Sequence, residues 1–130
     1  MLFRSISYVD GITESVKYMK WSGAEVGTVE VVDNGSSLDV ADPTHHIVGD
    51  DSSILVANGV ITVAYQDATA GTLRVATRDA AGTWTPKVVT QTDKTGGFFS
   101  IQLPTGGKIG NFFRKTEPTK ISGDVSFVAP

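Results

Sequence analysis

The chain has no cysteine, no long apolar run and no cluster of basic residues, and each absence excludes a class of protein. Without cysteine, neither a disulfide framework nor thiolate chemistry is available to its 130 residues. No apolar run approaches the ~20 residues that a membrane-spanning helix needs. The net charge is −3 and the 11 Lys and Arg residues are dispersed, so we expect no nucleic-acid partner and no anionic membrane surface.

The composition is that of a folded globular chain with many tight turns. Hydrophobic residues make up 40% and charged residues 19%, which is typical of one domain with its own core rather than of a disordered segment. The 14 glycines suit a fold with frequent reversals of the chain. Residues 1–5 are too short for a signal peptide. We therefore treat residues 1–130 as one unit.

Short apolar runs separated by turn residues predict an all-β chain. In Ile61–Tyr65 large residues alternate with small or polar ones, which is the period of a strand. Asn58-Gly59 is a strong two-residue hairpin signal because both residues tolerate positive φ. No ten-residue segment keeps a helical period, so we predict no helix. The predicted strands are Ser5–Val9, Val16–Trp21, Thr28–Val32, Ser53–Ala57, Val60–Tyr65, Leu73–Ala76, Lys87–Val89, Phe98–Leu103, Lys108–Arg114 and Val125–Val128, with longer loops at Ser36–Asp51 and Glu117–Lys120.

Two internal repeats predict the architecture. A shift that places Tyr8 on Tyr65 also places Asp10 on Asp67, and a second shift places Ser53 on Ser100. A repeat of this size with four strands is typical of a propeller blade. The predicted division is a partial blade at 5–33, a full blade at 53–90 and a partial blade at 98–130. A small β-sandwich built from the same strands is the alternative.

About two and a half blades do not close a ring, since propellers carry about 4–8 blades. We therefore expect the chain to be an excerpt of a larger propeller or a protomer that assembles. Incomplete blades expose strand edges and apolar faces, so self-association is expected.

Residues 77–84 carry the motif that suggests a family. Thr77, Asp79, Thr83 and Trp84 match the Asp-box of sialidase-like propellers, Ser/Thr-x-Asp-x-Gly-x-Thr-Trp, whereas Ala81 stands where that family has glycine. The chain also resembles repeats of secreted bacterial propeller proteins in Tyr65–Thr69 and His45–Asp50. The resemblance implies a propeller fold and an extracellular or cell-surface location. The residues themselves favour a structural role for the box, in which Asp79 staples its own hairpin and Trp84 packs.

Propeller geometry would gather the loops Asp10–Glu14, Ser36–Asp51, Asp67–Ala70 and Thr92–Gly97 on one face, which we call the predicted rim. The candidate ligand-binding residues there are Asp10, Thr13, His45, His46, Asp67 and Thr69, together with Asp50. Tyr8 and Tyr65 could stack on a sugar, but strand-interior aromatics usually pack in the core. His45-His46 beside Asp50-Asp51 is the one cluster that resembles metal ligands. Adjacent residues of an extended chain point in opposite directions, so we predict no metal site and no cofactor.

The chemistry needed for catalysis is not evident. A sialidase-like site would need an arginine triad, but Arg74 and Lys17 are repeat equivalents, which is typical of a solvated strand face. Asp10 and Asp67 are the one carboxylate pair that could serve a retaining glycosidase. We therefore expect a non-catalytic module that binds a glycan or a protein. A fragment of a sialidase-like glycoside hydrolase and a purely structural array of blades remain the alternatives.

Overall fold

The computed structural model describes residues 4–38 and 44–89 with their side chains, and the backbone of residues 95–105, 108–115 and 125–128. These ranges contain ten strands and no helix, which confirms the prediction of an all-β chain. No helix able to cross a membrane therefore occurs in this part of the chain. The strands are β1 (Arg4–Asp10), β2 (Ser15–Trp21), β3 (Glu30–Asp33), β4 (Val48–Ala57), β5 (Val60–Asp67), β6 (Thr72–Arg78), β7 (Trp84–Val88), β8 (Thr95–Thr105), β9 (Lys108–Lys115) and β10 (Val125–Val128).

The strands form three antiparallel sheets. Sheet one has the order β1-β2-β3, sheet two β4-β5-β6-β7, and sheet three β8-β9-β10. Each neighbouring pair is consecutive in sequence, so every sheet is a simple meander. β4 lies beside β1 of sheet one and β8 of sheet three, while β3 lies beside β7. Sheet two is therefore in contact with both of the others.

Sheets one and two repeat each other in register as well as in strand order. Tyr8 pairs with Lys17 across β1 and β2, and Tyr65 pairs with Arg74 across β5 and β6 at the same shift of 57 positions. The β2–β3 and β6–β7 pairs keep the same relation. The repeat seen in the sequence is thus a repeat of backbone pairing.

The second repeat has a period one residue longer in the structure than the matching serines predict. Ala57 pairs with Val60 around the Asn58-Gly59 turn, and Thr105 pairs with Lys108 around the equivalent two-residue connection. These pairs correspond at a shift of 48, whereas matching Ser53 to Ser100 gives 47. Because side chains alternate between faces, a slip of one residue assigns every side chain to the wrong face. The hairpin turn, rather than the matching serines, sets the register.

The predicted loop Ser36–Asp51 ends earlier than expected, because β4 begins at Val48. The start of β4 is irregular: its register shifts at two places, and Gly49 and Asp51 have φ of 117° and 52°. A Cβ on Gly49 would meet methyl groups of Val9 and Val16 at 3.1–3.2 Å, so glycine permits the close approach of sheet one. These bulges interrupt the alternation that identifies a strand. Residues 39–43, 90–94 and Glu117–Lys120 lie outside the described residues, and β8 already begins at Thr95.

The described core lies between sheets one and two. Alternate residues of β2 and of β5 belong to this core, as the period-two pattern predicts. Burial of each Val or Ile side chain in such a core contributes about 1.5–3 kcal/mol. The main cluster of buried residues is Val16, Tyr18, Val32, Val48, Ile61, Val63, Tyr65 and Ala76, with Ile54 and Trp84 packed against it.

A polar clamp joins the outer strands of these two sheets. Glu30 of β3 accepts two hydrogen bonds from the Arg78 guanidinium, each 2.8 Å, and one of 2.7 Å from Nε1 of Trp84. The Trp84 ring also lies 5.3 Å from the Tyr18 ring between centroids, at a tilt of 59°. Trp84 is thus partly buried against the core while its N–H is satisfied, which is the packing role expected for it.

Acid is expected to weaken this clamp. Hydrogen bonds from Arg78 hold the pKa of Glu30 below its ordinary value. A carboxylate with a lowered folded-state pKa adds stability above its unfolded pKa, and that stability is lost as the pH falls through the folded pKa. Urea unfolding between pH 7 and pH 3 should therefore show a steeper loss of stability for the wild type than for Glu30→Gln. Parallel pH profiles for the two proteins would contradict this role.

The hairpin that joins β6 and β7 is held by Asp79. Its Oδ1 accepts the Thr83 N–H at 2.8 Å, and its own N–H donates to the Thr83 carbonyl at 3.0 Å. The Gly82 N–H donates to the Asp79 carbonyl at 3.1 Å. The carboxylate therefore closes its own turn, as the sequence predicts for this residue.

Sheets one and three have three strands each among the described residues, whereas sheet two has four. An unpaired strand edge offers N–H and C=O groups to other chains. We therefore expect the isolated chain to self-associate or to be marginally stable. Light scattering across a concentration series should show growth in mean mass. A stable monomer at high concentration would contradict this expectation.

Candidate functional site

Three loops from sheets one and two meet at one end of the strands. The Val48 N–H donates to the Glu14 carbonyl at 3.2 Å, which ties the β1–β2 loop to the segment before β4. The Ile47 N–H donates to Oγ1 of Thr69 at 2.9 Å, and the Ala68 N–H donates to the Ile47 carbonyl at 2.9 Å. Residues 44–47 therefore bridge the loops 10–14 and 67–71. We call these three loops the loop junction.

Equivalent aspartates shape the two hairpin loops. Oδ1 of Asp10 accepts N–H bonds from Ile12 at 3.0 Å and from Thr13 at 3.3 Å. These donors hold the pKa of Asp10 below its ordinary value. Oδ1 of Asp67 accepts the Ala70 N–H at 2.9 Å in the matching loop. Each aspartate thus fixes its turn, which is a common role for this residue.

The outer surface of the loop junction combines polar groups with one prominent apolar side chain. Ile12 is 95% exposed at the tip of its loop. Nε2 of His45 lies 3.6 Å from Oε2 of Glu14, with both side chains about half exposed. The Thr13 and Ser15 hydroxyls lie 2.6 Å apart. The junction therefore presents hydroxyl, imidazole and carboxylate groups around an exposed Ile12.

A buried ion network lies beneath this surface. Arg74 of β6 is 1% exposed and donates to Oδ2 of Asp33 at 3.1 Å and to Oδ2 of Asp67 at 2.5 Å. Nδ1 of His46 lies 2.7 Å from the same Asp67 oxygen. The Tyr65 hydroxyl donates to Oδ2 of Asp33 at 2.7 Å. The network connects β3 of sheet one with β5 and β6 of sheet two and with the segment that carries His46.

Tyr65 serves this network as a neutral donor. Burial, together with the negative charge of Asp33, raises the pKa of Tyr65 well above its ordinary value. The phenol therefore keeps its proton at neutral pH and can share Asp33 with Arg74. Because Tyr65 is fully buried, it packs in the core and does not stack on a ligand. Its repeat equivalent Tyr8 is only partly buried.

Three sequence-based assignments change in this network. Asp67 and His46 were expected to face a ligand, but they are 0% and 4% exposed and bind each other. Arg74 was expected on a solvated face like its equivalent Lys17, and this expectation is wrong. Neighbouring sheets cover both faces of the middle of β6, so a charge there must be paired. The proposed carboxylate pair of Asp10 and Asp67 does not line one accessible surface.

His46 is brought into the interior by the backbone at Gly35. The His46 N–H donates to the Gly35 carbonyl at 2.7 Å. Gly35 has a φ of 79°, and a Cβ there would lie 2.1 Å from the His46 carbonyl oxygen. Any other residue would therefore force these two segments apart. The loop after β3 and the segment 44–47 therefore pack directly against each other.

The histidine and aspartate pairs do not form a metal site in the described part of the chain. His45 points to Glu14 at the surface while His46 is buried, as expected for adjacent residues. Burial, with the neighbouring charge of Asp50, raises the pKa of Asp51. Among the described residues no group of three His, Cys, Asp or Glu side chains is arranged to hold a metal ion.

Asp33, Arg74 and the Tyr65 hydroxyl were not predicted as partners. Their sequence separations are 32 and 41 positions, so no local motif connects them. One feature of the sequence does point to this burial: Arg74 stands between the apolar residues Leu73 and Val75 in the central part of a sheet. A charged residue in such a run indicates a buried pair when strands flank it on both sides.

Comparison with known proteins gives no match. No protein-family model, no curated protein sequence and no solved structure corresponds to this chain.

Proposed function

We propose that the chain is a segment of a β-propeller and that it serves a larger secreted or surface protein as a non-catalytic binding module. The loop junction is the proposed binding surface. The observation that carries the proposal is that loops from two successive sheets are hydrogen-bonded to one another and lie over a buried ion network. A surface held in this way loses little conformational entropy on binding.

The repeated register of sheets one and two supports the propeller arrangement. Successive sheets that repeat in pairing and pack face to face are what a blade array requires. The hairpin at Asp79, with its partial Asp-box, adds support for a sialidase-like relationship. The outer strands β3 and β7 also meet, so the contact between the sheets extends beyond the inner strands.

The surface chemistry favours a protein ligand over a glycan. Loops 10–14, 44–47 and 67–71 contain no Trp, Tyr or Phe on which a sugar ring could stack. Ile12 supplies an exposed apolar contact, and Thr13, Glu14 and His45 supply hydrogen-bonding groups. Burial of Asp67 weakens the glycoside hydrolase alternative, because its carboxylate is already committed to Arg74 and His46.

A binding survey with surface variants tests this proposal. The wild-type chain would be screened on a glycan array and on a peptide array. We expect binding to be lost in the double variant Ile12→Ser with His45→Ala, since both side chains are exposed. Asp79→Ala, at the opposite end of the strands, is the matched control and should retain binding.

Three outcomes separate the candidate functions. Ligand binding that depends on Ile12 and His45, without turnover of aryl glycosides, supports the binding module. Turnover that disappears in Asp10→Asn would support the hydrolase fragment. No binding on either array and no glycoside turnover would contradict the binding module and would favour the structural array of blades.

A further inference from the structure

Asparagine is followed directly by glycine at two places in the chain, Asn34-Gly35 and Asn58-Gly59. This dipeptide is prone to spontaneous deamidation, because a glycine without Cβ lets its backbone nitrogen reach the amide carbon of the preceding side chain. The reaction requires the peptide between the two residues to rotate out of its folded conformation. The surroundings of each pair therefore decide whether it reacts in the folded protein.

The first pair is held in place on both sides. The Gly35 N–H, which would supply the attacking nitrogen, donates to Oδ1 of Asp33 at 2.8 Å. Oδ1 of Asn34 accepts the Ser36 N–H at 3.0 Å. The Gly35 carbonyl accepts the His46 N–H at 2.7 Å, and Gly35 itself is buried. Rotation of this peptide would break these hydrogen bonds, so the folded state protects Asn34.

The second pair lies at the tip of the β4–β5 hairpin. Cross-strand pairing ends at Ala57 and Val60, so the Gly59 N–H lies outside the ladder. Asn58 and Gly59 have φ of 52° and 77°, as a type I′ turn requires. Both residues are exposed, and a Cβ on Gly59 would meet no atom within 4 Å. The peptide between them can therefore rotate without displacing a neighbour.

We propose that Asn58 is a site of spontaneous deamidation in the folded protein. The Gly59 nitrogen forms a bond to Cγ of Asn58, and the C–N bond of the side-chain amide breaks. The amide nitrogen leaves as ammonia and takes the proton of the Gly59 N–H. Solvent water then opens the succinimide ring. Cleavage between the Gly59 nitrogen and Cγ gives aspartate, whereas cleavage between that nitrogen and the main-chain carbonyl carbon gives isoaspartate.

The two products differ in their effect on the hairpin. Aspartate tolerates the positive φ at position 58 and keeps the two-residue turn. Isoaspartate routes the main chain through Cβ and lengthens the turn. Because the length of a hairpin turn fixes the register of its strands, the isoaspartyl product opens the pairing of Ala57 with Val60. This site lies at the opposite end of β5 from the loop junction and is independent of the function proposed there.

Incubation of the folded chain at mildly alkaline pH tests the proposal. Peptide mapping by tandem mass spectrometry follows the conversion of each asparagine, and the same incubation in urea gives the rates without folded structure. In the folded chain Asn58 should convert roughly tenfold or more faster than Asn34, because Asn34 reacts only after local unfolding. In urea the two rates should be similar. Conversion of Asn34 as fast as Asn58 in the folded chain would overturn the proposal, as would an Asn58 that converts only in urea.

The variant Asn58→Asp separates the effects of the two products. It should keep the amide protection that the unmodified chain shows in β4 and β5. The isoaspartyl fraction of the incubated protein, separated by chromatography, should exchange faster at Ala57 and Val60. Equal exchange in the isoaspartyl fraction and in Asn58→Asp would contradict the opening of the hairpin.

Discussion

Replacement of Arg74 with methionine is expected to destabilise the fold by about 3–5 kcal/mol. Methionine keeps much of the side-chain length, but it removes the guanidinium that pairs with the carboxylates of Asp33 and Asp67. Both carboxylates are at most 4% exposed, so each would be left buried without its main partner. Urea unfolding at pH 7 followed by circular dichroism measures the loss.

The repeat supplies a matched control for this change. Lys17 occupies the equivalent position in sheet one, but its ammonium lies 3.9 Å from Asp10, whose side chain is 30% exposed. Lys17→Met should therefore change the unfolding midpoint only slightly, because a partly exposed pair contributes little. Similar midpoints for Arg74→Met and the wild type would show that the interior network is not needed for stability.

The second large effect is expected at Trp84. Trp84→Ala should destabilise the fold by about 2–4 kcal/mol, because it removes a large ring from the contact with Tyr18 and a hydrogen bond to Glu30. Trp84→Phe should destabilise the fold less, since it keeps an aromatic ring and removes only the N–H and part of the ring system. Asp79→Ala should cost about 1 kcal/mol, because its carboxylate makes one backbone hydrogen bond at an exposed turn. Thermal melts of the three variants measure the order of these stability losses.

Binding at the loop junction should survive both Asp79→Ala and Trp84→Phe in protein that remains folded. The partial Asp-box would then be a structural element of the β6–β7 hairpin. A variant with wild-type melting but without binding would identify residues 77–84 as part of a ligand site instead.

The strands could be predicted because the sequence signals that identify them, alternation and turn residues, are local. Alternation in Ile61–Tyr65 and the Asn58-Gly59 turn each act within a few residues. The 57-position repeat also holds, because Asp10 and Asp67 close equivalent turns and thereby fix equivalent registers. The second repeat differs by one residue from its sequence alignment, because the pairing of Ala57 with Val60 and of Thr105 with Lys108, and not the two matching serines, defines its register.

The buried ion network could not be predicted from the sequence, because it depends on tertiary contacts between residues that are far apart in the chain. Arg74 and Lys17 look alike in sequence, and only the sheets packed around β6 make one of them a buried ion. The same packing moves Asp67 and His46 from the predicted rim into the interior. At the start of β4, Gly49 and Asp51 adopt positive φ, so the strand has no regular alternation there. Asp10, Thr13, His45 and Thr69 stay at the loop junction that we propose as the binding surface.

The central claim is that sheets one and two pack face to face as successive repeats, and an engineered disulfide tests it most directly. The chain has no cysteine, and Oγ of Ser7 in β1 lies 3.1 Å from Oγ of Ser52 in β4. We expect the double variant Ser7→Cys with Ser52→Cys to form an intrachain disulfide under mild oxidation, detected by mass spectrometry as the loss of two hydrogen atoms. Ser5→Cys with Ser52→Cys, displaced by one side-chain repeat along β1, should cross-link poorly. Two free thiols in the first variant, or equal cross-linking in both, would contradict the face-to-face packing.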